Sequence, residues 1–248
     1  MSRFGRKVPG SGGRGRSRTR GDDATGDERD VVISEVRPDP AKPGCIAVRA
    51  RGYKPWRIDD DAATELDLRV GQRLDAPTLA RLRQAAANCA GRLKLQTRLA
   101  VRPLSRMEAM VLLRRAGAEP EAAKRITQRF EQLGWINDSR LATNVASNEA
   151  AKPVGRMRVV ARVARRGINS GEARKAADAA VAARRESPLE LAIIAARSQI
   201  RKVAPGLDAD TRKRRVLGFL ARRGFDEHTA REAVKAVMGK DQPSIEDD

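Results

Sequence analysis

One short segment occurs three times along this chain, with the same internal spacing each time. The copies are 105–118 (SRMEAMVLLRRAGA), 155–168 (GRMRVVARVARRGI) and 212–225 (RKRRVLGFLARRGF). They align without a gap, and each has a glycine as its second-to-last residue, Gly117, Gly167 or Gly224, shortly after two arginines. The arginine pair directly precedes the glycine in the second and third copies, and Ala116 separates them in the first. These glycines lie 50 and 57 residues apart. A period of that size is typical of tandem supersecondary units, so the sequence predicts a repeat protein.

The central copy predicts an amphipathic helix. At about 3.6 residues per turn, Val159, Val160 and Val163 share one face. Arginines at i, i+4, i+7 and i+8 line another face: Arg158, Arg162, Arg165 and Arg166. Glycine adopts left-handed backbone without steric cost, so we predict that the glycine of each copy is the C-terminal turn of its helix.

Capping signals and prolines mark further helices on both sides of each copy. Ser105 and Glu108 have the spacing of a capping box, and Asn169 and Glu172 repeat it. Asp138 is predicted to cap the helix that follows it. Each unit then contains three helices. We predict a disordered Arg/Gly-rich tail (1–30), a small β-rich segment (31–75), three-helix repeats (76–134, 135–186 and 187–238) and an acidic tail (239–248).

The β-rich segment is recognised by its alternation of apolar and polar residues. The pattern covers 31–36 and 46–50, and a third strand is predicted at 56–58. Such a sheet is marginally stable alone. We therefore expect it to pack on the first helices. The fold class is mainly α, preceded by a small antiparallel β segment.

Charge and composition favour a binding protein over an enzyme. The chain has 51 basic and 32 acidic residues, and its whole excess of +19 lies within 76–238. An ordered basic surface favours a polyanion, most simply nucleic acid. The single histidine and the two cysteines, Cys45 and Cys89, form no catalytic or metal-binding pattern, so no cofactor or metal is expected. Free thiols and the lack of an apolar leader or membrane span predict a cytoplasmic location.

Several stretches together resemble one known family. They are 133–142 (LGWINDSRLA), similar to the family's G-x-hydrophobic-D-D-x-x-F-A segment, the central copy at 155–168, and 219–225 (FLARRGF). The stretch 69–74 (RVGQRL) resembles the amino-terminal extension of longer members. In this order, over residues 31–238, the chain is similar to the RecX family of bacterial regulators of the RecA recombinase.

This resemblance implies a fold and a function. The fold is three tandem three-helix repeats in an elongated, curved array. The function is binding to the RecA–single-stranded-DNA filament, which limits its extension or promotes its disassembly and so modulates recombination, DNA repair and the SOS response. No cofactor is implied, and we expect a monomer. Asn137, Leu141 and Arg162 depart from the family pattern, and Arg162, where many members have glutamate, makes the central helix more basic.

The arginines are the candidate contacts with filament or DNA. The predicted set is Arg158, Arg162, Arg165 and Arg166 at the centre, extended by Arg215, Arg222 and Arg223. An alternative role for each Arg-Arg pair is to compensate the helix dipole, which we favour for Arg114 and Arg115.

Two other functions remain open at this point. One is a DNA-binding helical protein without sequence specificity that acts without RecA, on single-stranded or double-stranded DNA. The other is an RNA-binding or ribosome-associated protein, which explains the charge but not the repeated segment.

Overall fold

The computed structural model describes residues 31–202 and 206–239. The tails predicted at 1–30 and, apart from Gly239, at 239–248 lie outside these residues. The described chain is mainly α-helical, with a small antiparallel sheet at its beginning. None of its helices is both long and apolar enough to cross a membrane.

The sheet has four strands in the order β3-β2-β1-β4. They are β1 Val31–Pro38, β2 Cys45–Ala50, β3 Trp56–Asp59 and β4 Arg73–Leu74, with the short helix α1 Asp60–Glu65 after β3. In the register, Val36 faces Val48, and Val31 faces Leu74 of β4. The first three strands match the prediction. β4 was not predicted, because two residues are too few to show alternation.

The sheet packs on the first long helix, α2 Ala76–Val101, as predicted. Ile33 and Ile58 from the sheet share a buried cluster with Leu79 and Leu82 of α2. This cluster provides the apolar burial that a small sheet lacks by itself.

Two buried free cysteines lie beside this contact. Sγ of Cys45 and Sγ of Cys89 are 3.6 Å apart, and Arg92 of α2 donates hydrogen bonds to Asp59 at the end of β3. Burial, followed by the negative charge of Asp59, raises the pKa of the Cys89 thiol well above its ordinary value. Both residues are free thiols, as predicted, and they join the sheet to α2.

Eight more helices follow α2 in the described residues. They are α3 Arg106–Arg115, α4 Pro120–Gln132, α5 Asp138–Ala150, α6 Arg156–Ala164, α7 Ser170–Ala182, α8 Pro188–Ile200, α9 Ala209–Arg222 and α10 Glu227–Met238. Their buried side chains form three clusters. The first joins the end of α2 with α3 and α4, the second joins α5, α6 and α7, and the third joins α8, α9 and α10. Alanine is frequent in the second and third clusters, so the helices approach closely.

The predicted turns and one capping box are confirmed. Ser105 accepts a hydrogen bond from the backbone of Glu108 and Glu108 accepts one from the backbone of Ser105, which completes the box at the start of α3. Gly117, Gly167 and Gly224 have φ values of 91°, 74° and 79°. That region is strained for residues with a Cβ atom, which explains glycine at all three positions.

The prediction for Asp138 was wrong by one residue. Asn137 is the N-cap of α5, because its side chain accepts a hydrogen bond from the Arg140 amide, 2.8 Å away. Asp138 is already helical. Its Oδ1 accepts instead from the backbone amide of Arg106, 2.8 Å away in α3. Asp138 therefore caps a helix of the preceding cluster, a contact between residues that are distant in sequence.

Other helix ends differ from the prediction by a few residues. α6 ends at Ala164 with Arg165 as its C-cap, so Gly167 lies two residues beyond the cap. α9 begins at Ala209, three residues before the third copy, because Asp208 caps it through the amide of Thr211. The box predicted at Asn169 is half formed, since only the Asn169 side chain makes its hydrogen bond.

Candidate binding surface on the central helices

We call α3, α6 and α9 the middle helices, because each is the second helix of its cluster. The start of one middle helix packs on the glycine turn at the end of the next one along the chain. At the first junction, α3 meets the turn of α6, and a Cβ atom added to Gly167 would lie 2.6 Å from Sδ of Met107. At the second, α6 meets the turn of α9. A Cβ atom on Gly224 would lie 2.3 Å from the backbone nitrogen of Arg158, and one on Gly155 would lie 2.0 Å from the Gly224 carbonyl oxygen. Glycine at 155 and 224 therefore permits close approach of two backbones, and glycine at 167 leaves room for the Met107 side chain.

Arg166 lies in the first junction, away from the other predicted arginines of its segment. Its guanidinium donates to both carboxylate oxygens of Glu108, at 2.9 Å each, and to the Pro103 carbonyl at 2.9 Å. The Ser105 hydroxyl donates to the Arg166 carbonyl. Although burial by itself raises the pKa of Glu108, hydrogen bonds from Arg166 and Ser105 hold it below the ordinary value. Because these hydrogen bonds hold Arg166 at the junction, its side chain does not join the predicted arginine face of Arg158, Arg162 and Arg165.

Arg223 holds the equivalent position in the second junction. Its Nη1 donates to the Pro153 carbonyl at 3.4 Å, and its guanidinium lies over the Phe219 ring, 5.0 Å from the centroid. Arg166 and Arg223, each the second arginine of its pair, both bond to a proline carbonyl two residues before the start of the neighbouring copy. These two arginines hold helices together.

The other three arginines of the central segment do lie together. Arg158, Arg162 and Arg165 line a cavity of about 220 Å³ with Glu149 and Lys152. Nε of Arg158 donates to one oxygen of Glu149 at 2.9 Å, and Nζ of Lys152 donates to the other at 2.8 Å. Four cationic side chains thus surround one carboxylate, which leaves an excess of three positive charges.

Glu149 is the buried member of this group, and its residue is only 4% exposed. Burial by itself raises its pKa, but hydrogen bonds from Lys152 and Arg158 lower the pKa below its ordinary value. Glu149 stays ionised and fixes these two cations. The sequence analysis did not identify Glu149 or Lys152. Their i, i+3 spacing, directly before the central copy, was the available signal.

Arg162 and Arg165 are exposed and form no hydrogen bond or ion pair with any described residue. Placing two unneutralised guanidinium groups beside the Arg158–Glu149 pair costs electrostatic energy unless an anion is bound. Guanidinium groups bind phosphate and carboxylate oxygens well, since they donate in a planar fork. The cavity is therefore suited to an anion with several oxygens.

Arg215 and Arg222 are exposed on α9, and their side chains also lack partners among the described residues. The Arg222 carbonyl accepts a hydrogen bond from Arg158 at 3.4 Å, so the end of α9 adjoins the cavity. Of the seven predicted contact arginines, the structure groups Arg158, Arg162 and Arg165, places Arg222 next to them, and places Arg166 and Arg223 in the junctions.

One group of potential metal ligands occurs among the described residues: Cys45, Asp59 and Cys89, whose ligand atoms lie within 4.8 Å of one another. Arg92 donates to Asp59 at 2.7 Å and to Sγ of Cys45 at 3.1 Å. Its positive charge already neutralises Asp59 and occupies the surroundings that a cation would need. The group is better explained as packing between sheet and helix.

Together, the helices and the basic cavity define a class: a mainly α-helical protein with a cavity lined by four cationic side chains around one carboxylate. Comparison with known proteins then narrows the class. No family model matches the chain. It is 30% identical over 141 residues to the regulatory protein RecX of Amycolatopsis mediterranei (56% of this chain, 78% of the relative). It is 32% identical over 131 residues to that of Xanthomonas axonopodis pv. citri (53% and 77%). The chain belongs to the RecX family of regulatory proteins.

A solved structure agrees with this assignment. A crystal structure of a regulatory protein RecX aligns with 85% of this chain and 100% of its own, with a TM-score of 0.59 and 16% sequence identity. At this identity the likeness shows the fold.

Proposed function

We propose that this protein binds the RecA–single-stranded-DNA filament and inhibits its extension or promotes its disassembly. It thereby modulates recombination, DNA repair and the SOS response. Membership in the RecX family supports the choice of RecA as partner. The observation that carries the proposal is the basic cavity, where the side chains of Arg162 and Arg165 donate no hydrogen bond to any described residue.

The three helix clusters are, in this proposal, tandem repeats of an elongated, curved array with units at 76–134, 135–186 and 187–238. The two junctions support it, because both use the same parts: the start of one middle helix, the glycine turn of the next, and an arginine bonded to a proline carbonyl. Repetition of the same interface between successive units is how tandem-repeat proteins form an array.

A filament is a repeating anionic lattice, and an array can contact several of its subunits together. Contacts that are individually weak then add through effective concentration. Arg158, Arg162 and Arg165 form the proposed centre, and Arg215 and Arg222 extend it along α9. The protein acts as a cytoplasmic monomer without a cofactor.

The rival function is DNA binding without RecA and without sequence specificity. The chemistry of the cavity favours it in one respect, because clustered guanidinium groups bind phosphate of any nucleic acid. Its sites would be single-stranded or double-stranded DNA. The two functions differ in stoichiometry, since competition for DNA requires enough protein to cover it.

The proposal is tested by reversing the two unpartnered charges. Arg162→Glu/Arg165→Glu is expected to raise the concentration needed to inhibit filament extension by about tenfold or more, because two phosphate or carboxylate contacts become repulsive. The matched control is Arg51→Glu/Lys54→Glu, which makes the same charge change in the exposed turn between β2 and β3. Circular dichroism checks that both variants stay helical. Equal inhibition by both variants would contradict the proposed surface.

A further inference from the structure

A second cavity lies on the other side of Arg165. It is a groove of about 570 Å³ between α2, α3 and the end of α6. Arg165 lines both cavities, so the groove adjoins the basic cavity described above. A volume of this size lies within the range of roughly 300–1,000 Å³ that is usual for ligand pockets.

The floor of the groove is apolar. Leu104, Met107, Val111 and Leu112 contribute to its lining. Met107 is 58% exposed and Val111 is 43% exposed, although both belong to a helix whose other face is fully buried. Apolar side chains that remain exposed side by side in a concave surface mark an interaction site.

The rim of the groove is basic. Its cationic residues are Lys94, Arg98, Arg102, Arg115, Arg165 and Arg166. The one acidic residue of the lining, Glu108, is already bonded to Arg102 and Arg166. Lys94, Arg98 and Arg115 are exposed and make no hydrogen bond or ion pair with the described residues. A ligand that fills this groove therefore needs apolar groups toward the floor and negative charge toward the rim.

We propose that the groove binds an acidic peptide segment of a partner protein that carries two or three large aliphatic side chains. Such a segment, as a helix, places its apolar residues on the floor at i, i+3 or i+4, and i+7, and its carboxylates on the rim. Nucleic acid fits the rim but not the floor. The lining contains no aromatic ring on which a base could stack, and phosphates gain nothing from aliphatic contacts.

The proposal goes beyond binding at the basic cavity and does not depend on it. The test uses a fluorescein-labelled 12-residue peptide of glutamates with three leucines at helical spacing, and neither DNA nor RecA is present. Its anisotropy is titrated with the full chain. A second peptide, with each leucine replaced by serine, keeps the charge and removes the apolar face.

The leucine peptide is expected to bind at least about tenfold more tightly than the serine peptide, because only the former covers the floor. Val111→Asp is expected to weaken leucine-peptide binding by about tenfold, while Val70→Asp, the same change at a 65% exposed valine remote from the groove, leaves it unchanged. Val111→Asp is also expected to change affinity for a single-stranded oligonucleotide by less than about threefold, which separates the groove from general charge effects.

Four outcomes would overturn the proposal. Equal affinity of both peptides would show that the groove binds charge alone. Equal weakening of leucine-peptide binding by Val70→Asp and Val111→Asp would show that the peptide does not bind in the groove. A tenfold gain in peptide affinity on ending the chain at Gly239 would identify its own acidic end as the occupant. Sedimentation showing a dimer that Val111→Asp dissociates would identify a second copy of the chain.

Discussion

Gly224 has the tightest surroundings among the repeated glycines. Its φ of 79° disfavours any residue with a Cβ atom, and an added Cβ would meet the backbone nitrogen of Arg158 at 2.3 Å. Gly134 has nearly the same φ, 72°, but nothing within 4 Å of an added Cβ. The pair therefore separates the cost of backbone conformation from the cost of a clash at the junction.

Gly134→Ala is expected to lower the free energy of unfolding by about 1–2 kcal/mol, the cost of left-handed backbone for alanine. Gly224→Ala is expected to cost roughly 1–3 kcal/mol more, since α6 has to move off the α9 turn. Urea denaturation of both variants measures the difference. Equal losses would mean that the contact at Gly224 does not stabilise the chain.

Glu149 makes the cavity sensitive to pH. Its pKa is lowered from an ordinary value of 4.5 in the folded chain. A carboxylate of this kind stabilises the fold fully above its unfolded pKa, and the contribution is lost as the pH falls through the lowered folded value. Glu149→Gln is expected to cost about 1–3 kcal/mol at neutral pH, because Arg158 and Lys152 lose a charged acceptor.

The difference in unfolding free energy between the wild type and Glu149→Gln should stay constant from neutral pH to about 4.5 and shrink below it. Denaturant titrations at several pH values measure this difference. A difference that grows on acidification would show that Glu149 is protonated in the folded chain.

At the scale of elements, the two arginines before a glycine have separate tasks. In α6 and its turn, Arg165 faces both cavities, whereas Arg166 is bonded to Glu108 and Pro103. Arg166→Gln is expected to lower stability by about 1–2 kcal/mol and to change single-stranded DNA affinity by less than about twofold. Arg162→Gln is expected to leave stability nearly unchanged and to weaken single-stranded DNA binding by more than about twofold. Stability and oligonucleotide binding are measured on the same preparations. A loss of DNA affinity in Arg166→Gln but not in Arg162→Gln would show that Arg166, and not Arg162, contacts DNA.

The helices could be predicted from the sequence because their signals are local. The periodicity of apolar residues predicted α6, and the spacing of Ser105 and Glu108 predicted the capping box of α3. Each repeated glycine predicted a turn at the end of its helix. Functional detail was less accessible because it depends on partners from other elements. Asp138 caps a helix that begins at Arg106, and Arg166 binds Glu108, 58 residues earlier in the chain. No periodicity within a helix records such pairs.

At the scale of the whole molecule, the same kind of junction joins the first helix cluster to the second and the second to the third. In the proposed function, these units form an array that holds its basic residues at fixed spacing, so that one molecule engages several subunits of a polymeric target. The proposal therefore requires only a small number of copies to act on a long filament. A protein that only covers DNA needs enough copies to coat it. Inhibition by few copies is therefore the central claim of the proposed function.

That claim is tested most directly by RecA's DNA-dependent ATP hydrolysis on single-stranded DNA, measured while this protein is titrated in. We expect hydrolysis to fall when the protein is present well below one copy per RecA, as inhibition of extension or disassembly requires. Loss of hydrolysis only at concentrations that coat the DNA would contradict the account and leave competition for phosphate as the function.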